Sequence, residues 1–206
     1  MATPLVAGTA ALVRQWLVER KGVANPDAAT MKALLCAGAK SLYPGQYGEG
    51  EFLEIPKTYP NNVEGWGMVD LENTVANPDG VAFRDGEVIA EGEKLSFRFR
   101  APGDRPLCIL MAYSDAPATS FSGGLINDLD LTVTDPSGKL WYPNCKKGPD
   151  RINNVEGVRL TSAPAGEYVA TIHAQLIQKP MEVQLTHGRE NASRFSLVAN
   201  GAGEVK

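Results

Sequence analysis

The chain has 206 residues, a formal net charge of −4 and 43% hydrophobic residues, enough for one large domain or two smaller ones with a substantial core. The acidic balance gives no electrostatic footprint for nucleic acid or an anionic membrane surface, and no apolar run is long enough to span a bilayer. The apolar opening is interrupted by Arg14 and Gln15 and has no basic leader, so it reads as a helix and not as a signal peptide.

Leu5, Val6, Thr9, Leu12, Val13, Trp16 and Leu17 recur at helical spacing, with Pro4 in the first turn and Gly22 as a stop signal. Gly8 lies inside this helix and costs about 1 kcal/mol relative to Ala, which implies close backbone packing. A second helix is predicted over residues 25–39, with Asn25 as its cap and Pro26 at its first position. Residues 41–65 read as irregular connection, followed by a short helix over 70–77. The turn Asn77-Pro78-Asp79-Gly80 marks the expected boundary between a unit at 1–79 and a unit at 80–206.

Beyond residue 80 the period becomes two. Leu95, Phe97 and Phe99 alternate with polar residues, 107–112 is continuously apolar, and Leu129, Leu131 and Val133 alternate with Asp128, Asp130 and Thr132. Further strands are predicted at 168–173, 181–185 and 195–198, separated by Gly- and Pro-containing turns. The expected architecture is α+β: two helices and a short third, then an antiparallel β-sandwich of jelly-roll type. Cys36, Cys108 and Cys145 are odd in number and widely spaced, so they read as buried or incidental thiols without a metal motif or disulfide framework.

Met1-Ala2-Thr3-Pro4-Leu5-Val6-Ala7-Gly8 resembles the segment that follows the nucleophilic serine in subtilisin-like serine proteases, and Gly65-Trp66-Gly67-Met68-Val69-Asp70 is similar to the segment closing their catalytic domain. Ala112-Tyr113-Ser114-Asp115-Ala116-Pro117, Ile126-Asn127-Asp128-Leu129-Asp130-Leu131, Asp135-Pro136-Ser137-Gly138 and Asn153-Asn154-Val155-Glu156 resemble the jelly-roll β-domain of some alkaline members, related in shape to the P domain of proprotein convertases. The resemblance implies that residues 1–79 are the C-terminal remnant of an α/β catalytic domain, that the family's serine precedes Met1, and that its aspartate, histidine and oxyanion-hole asparagine lie further upstream. It also implies a secreted protein whose intact form cleaves protein substrates, with the rest of the catalytic domain as a partner.

The helix after that serine has a physical purpose. Its N-terminus and dipole favour a developing oxyanion, and Ala2, Thr3, Ala7 and Gly8 are small enough to pack beneath an active site. Within the chain, the histidines are His173 and His187, and neither Ser114, Ser120 nor Ser122 sits in a Gly-x-Ser-x-Gly elbow, so no catalytic residue is expected and the isolated chain is expected to be inactive.

Asp128 and Asp130 should point to one side of a strand, about 7 Å apart, where they need solvent, hydrogen bonds or a cation. Calcium takes six to eight oxygen ligands, which Asp128 and Asp130 could supply together with Asn144, Asp150, Asn154 and Glu156, read as loop residues like Asp115 and Asn153. The β-domains that the chain resembles bind calcium. The competing reading of the two aspartates is a solvated or loop-bonded strand face. Trp16 and Trp66 read as core, and Trp141-Tyr142 as strand packing or a partly exposed recognition patch. A stand-alone binding or stabilising module for protein or carbohydrate is the alternative function. The first helix, apolar on more than one face, then predicts self-association.

Overall fold

The computed structural model describes residues 1–77, 79–118 and 124–205. Helix α1 (Ala2–Lys21) ends where expected: Gly22 takes the left-handed conformation at φ 72° and donates its N–H to the Leu17 carbonyl, with Arg20 and Lys21 in the last turn against the negative end of the dipole. Of its residues, Val13 and Leu17 are buried, whereas residues 1–8 are exposed throughout.

Helix α2 (Ala28–Gly38) begins later than predicted. Asp27 and not Asn25 is its N-cap, accepting the Ala29 N–H at 2.9 Å, so Pro26 falls outside the helix. The Asp27 N–H is itself taken by the Asp85 carboxylate at 2.9 Å, which fixes the entry of the chain at that residue. Helix α3 (Leu71–Val75) is capped by Asp70 and stops short of the predicted end. Gly38 lets α2 approach α3, because a Cβ there would lie 2.2 Å from the Thr74 hydroxyl.

Nine strands follow among the described residues: β1 (Val81–Ala90), β2 (Lys94–Ala101), β3 (Arg105–Ala112), β4 (Asn127–Thr134), β5 (Leu140–Trp141), β6 (Val155–Ala163), β7 (Gly166–Ile177), β8 (Ala192–Asn200) and β9 (Gly203–Glu204). The first eight pair antiparallel as β1 with β8, β2 with β7, β3 with β6 and β4 with β5. This nesting rolls one long hairpin into two facing sheets, β1-β8-β3-β6 and β5-β4-β7-β2-β9, which is the jelly-roll order. The protein is therefore α+β with an antiparallel β-sandwich.

Alternation in β2 and β4 sends Phe99, Leu129, Leu131 and Val133 into the core between the sheets, with Leu107, Ile109, Tyr168, Ile172, Phe195 and Leu197 from their neighbours. Phe97 lies on the same side as Phe99 and meets Phe195 edge-on at 6.0 Å. Residues 181–185 are not a strand. Leu185 and Gly188 donate back to Glu182 and Val183, and the Thr186 hydroxyl donates within the same turn, so local hydrogen bonds prevail over alternation.

The outer face of the β1-β8-β3-β6 sheet is covered by the helices. Val13, Leu17, Ala33 and Leu34 form one apolar cluster with Cys108, Leu110, Ala112 and Val198, while Trp16 stands 6.0 Å from Phe83. The chain changes from helices to strands near residue 80, as predicted, and this cluster continues across that point; Pro78 of the predicted turn lies outside the described residues. Trp66 packs against β6 where a Cβ on Gly157 would come within 2.6 Å of its ring.

Helix α2 is also held at both ends by the sheet. A bulge in β1 between Arg84 and Glu87 turns Asp85 toward the helix, where it accepts the Asp27 N–H and the Thr30 hydroxyl. Arg159 on β6 donates to the carbonyls of Cys36, Ala37 and Ala39 at 3.0–3.1 Å.

Candidate functional site

The predicted acidic constellation lies at the open flank of the sandwich, where β4 in one sheet faces β6 in the other. Strand β5 is only two residues long and pairs with Val133 and Thr134, so β4 between Asn127 and Leu131 needs another partner on that side. Glu156 supplies it: one carboxyl oxygen accepts the Leu131 N–H at 2.7 Å, and the side chain is fully buried. Glu156 is therefore a residue of β6, not of a loop as the sequence reading placed it.

Asp128 and Asp130 project together, as their alternation with Leu129 and Leu131 requires, and both reach the Arg151 guanidinium, Asp130 at 2.9 Å. One oxygen of each aspartate takes this cation. The other oxygen of each, together with the second oxygen of Glu156, is buried without a hydrogen-bond partner among the described residues. Burial pushes the Asp130 carboxyl up to about 6, with Asp128 adding to the effect and Arg151 opposing it. Burial pushes Glu156 up to about 9, against the stabilising Leu131 N–H.

Asp150 has the opposite character. Burial would raise it, but hydrogen bonds from Lys146, Asn153, Asn144 and the Ile152 N–H prevail and bring it to about 2. It organises the loop between β5 and β6. Asn144 spends its amide on Asp150 and the Val155 carbonyl and accepts the Gly157 N–H, while Asn154 donates to the Tyr113 carbonyl at 3.0 Å. Asp115 ties down another loop through the N–H groups of Ala116, Ile126 and Asn127.

The six predicted calcium ligands thus divide in function. Asp128, Asp130 and Glu156 keep unsatisfied buried oxygens, whereas Asn144, Asp150 and Asn154 serve the loop. Among the described residues, no three His, Cys, Asp or Glu side chains converge closely enough to form a metal cluster. Sequence reasoning passed over Arg151, a cation beside Asp150 that a search for oxygen donors does not select.

The two histidines lie apart from any serine partner among the described residues: His173 is on β7 opposite Asp130, and His187 is in a turn at φ 55°. Ser120 and Ser122 lie outside the described residues. All three cysteines are free: Cys108 is buried, Cys36 half-buried and Cys145 exposed. Trp141 and Tyr142 are half-buried, and the Trp141 indole donates to Asp135 at 3.0 Å.

No known protein family and no curated protein matches the chain. Among solved structures, it is similar to a Bacillus licheniformis lipase in propeptide form at 11% identity and a TM-score of 0.32, over 58% of this chain and 21% of the lipase. It is also similar to a protein from Sulfurospirillum deleyianum at 6% identity and a TM-score of 0.33, over 59% of this chain and 96% of that one. The match spans about a fifth of the lipase, and neither likeness is close enough to carry a fold or a function across.

Proposed function

We propose that the chain is the helical end of a subtilisin-like serine endopeptidase catalytic domain joined to a jelly roll that a calcium ion stabilises, and that these 206 residues alone do not hydrolyse peptide bonds. The reading rests first on the motifs at Met1–Gly8 and Gly65–Asp70, and one observation carries it furthest: the helical segment has apolar surface made to be covered. Of fifteen large apolar side chains that are strongly exposed among the described residues, ten precede residue 80, including Leu5, Leu12, Phe52 and Val63. Such a surface calls for a partner. In the proposed enzyme that partner is the rest of the catalytic domain, which would bring the triad and the secretory route.

Asp128, Asp130 and Glu156, which do not converge as a ready cluster and of which the two aspartates hold Arg151, would have to draw together around the calcium ion. The fit is supported by their three orphaned oxygens, which have no donor among the described residues. When bound, the ion supplies the positive charge that these oxygens lack. Without its covering partner the helical segment is expected to self-associate through α1. Size-exclusion chromatography with an ANS titration tests this: oligomers or strong dye binding are expected, and a compact monomer that binds no dye would contradict the reading. Cleavage of a generic peptide by the chain would overturn its proposed inactivity.

A further inference from the structure

Between β5 and β6, the edge strands of the two sheets, lies a groove of about 350 Å³. Its size falls within the range of ligand pockets, about 300–1,000 Å³. It is lined by Lys139, Lys146, Lys147 and Arg159 with the aromatic rings of Tyr59 and Trp141, and no carboxylate lines it among the described residues. This concentration of positive charge stands out on a chain of net charge −4.

The cations are poorly neutralised. Lys146 pairs with Asp150, but Lys139 and Lys147 are exposed and have no ion pair among the described residues. Arg159 donates from its two terminal nitrogens to three backbone carbonyls, which are neutral acceptors and leave its charge in place. Aromatic faces hold two of the cations in place: the Lys139 ammonium is 3.5 Å from the centre of the Trp141 ring, and the Arg159 guanidinium is 4.3 Å from that of Tyr59.

We propose that this groove binds a short acidic peptide segment in extended conformation. Charge complementarity selects an anion. The negative charge of the whole chain disfavours a long polyanion, which would meet repulsion beyond the groove, and favours a segment with a few carboxylates. The open flank of β5 offers an extended chain a strand to lie along, whereas on β6 the Gly157 N–H and carbonyl are already bonded to Asn144. The groove contains none of the proposed calcium ligands, although it meets the acidic cluster at Lys146, which pairs with Asp150.

The test is titration of the chain with blocked hexaglutamate, followed by the NMR shift of the Trp141 indole N–H, alongside hexalysine, octathymidylate and a heparin hexasaccharide. Hexaglutamate is expected to shift this resonance in a salt-sensitive manner, and Lys139→Glu with Lys147→Glu to weaken binding at least tenfold at an unchanged melting temperature. An unshifted indole, or undiminished binding by the double variant, would overturn the proposal. Tighter binding of octathymidylate or heparin than of hexaglutamate would also overturn it, by assigning the groove to another class of anion.

Discussion

Asp85 and Arg159 stand on opposite edge strands of one sheet and hold the two ends of the same helix, the acid at the N-terminus of α2 and the base at its C-terminus. Each charge matches the helix dipole and satisfies groups that the helix cannot satisfy itself. The 11-residue helix is thereby tied to the jelly roll at both ends, and the apolar cluster beneath it completes the attachment.

The helical segment and the sandwich are therefore expected to unfold together. Asp85→Ala and Arg159→Ala should each cost about 1–3 kcal/mol, the range for removing a charged hydrogen-bonding partner from a buried setting. Urea titrations read by far-UV circular dichroism and by tryptophan fluorescence should give one coincident transition in the parent chain.

Calcium should stabilise the fold. At a hundredfold excess over its dissociation constant, a bound ion adds about 2.7 kcal/mol. For a chain of this size that is a rise in Tm of roughly 5–10 °C. Glu156→Gln or Asp130→Asn should abolish the rise, as differential scanning calorimetry with calcium and with chelator would show.

In chelator the stability should depend on pH in an unusual direction. Glu156 rises from 4.5 to about 9 and Asp130 from 3.8 to about 6, so the folded chain keeps protons that the unfolded chain releases. Their stabilising contribution is complete below about pH 4 and is lost as pH rises towards 9, by at most about 1.4 kcal/mol per pH unit for each proton. Asp150, lowered to about 2, has the opposite sign: its contribution is present above 3.8 and is lost as pH falls towards 2. Denaturant titrations at pH 5, 7 and 8.5 should show declining stability in chelator, and saturating calcium should flatten the decline.

Gly157→Ala should be costly although glycine is seldom required within a strand. The added Cβ would stand 2.6 Å from the Trp66 ring and 3.2 Å from Leu110, and overpacking of this kind costs about 1–3 kcal/mol. The thermal melting point should fall by several degrees, and Trp66 fluorescence should report the displaced ring.

The strands whose alternation is clean, β2 and β4, were legible in the sequence, as were the stop at Gly22 and the shared face of Asp128 and Asp130. β1 was hidden because its bulge interrupts the period where Asp85 turns to α2. β6 was hidden because its two faces are both occupied: Glu156 serves β4, while Gly157 and Arg159 meet Trp66 and the end of α2. The start of α2 moved because Asp85, 58 residues away, decides which residue caps it. In the acidic site, alternation placed Asp128 and Asp130 on one face but could not reveal Arg151 between them, since that pairing is made by the path of the loop.

The central claim, a subtilisin-like protease origin, is tested most directly by sequencing the transcript across the Met1 codon. The account predicts an in-frame Gly-Thr-Ser immediately upstream, which would complete the nucleophile motif ahead of Met1-Ala2-Thr3-Pro4. An in-frame stop codon directly before Met1 would contradict it.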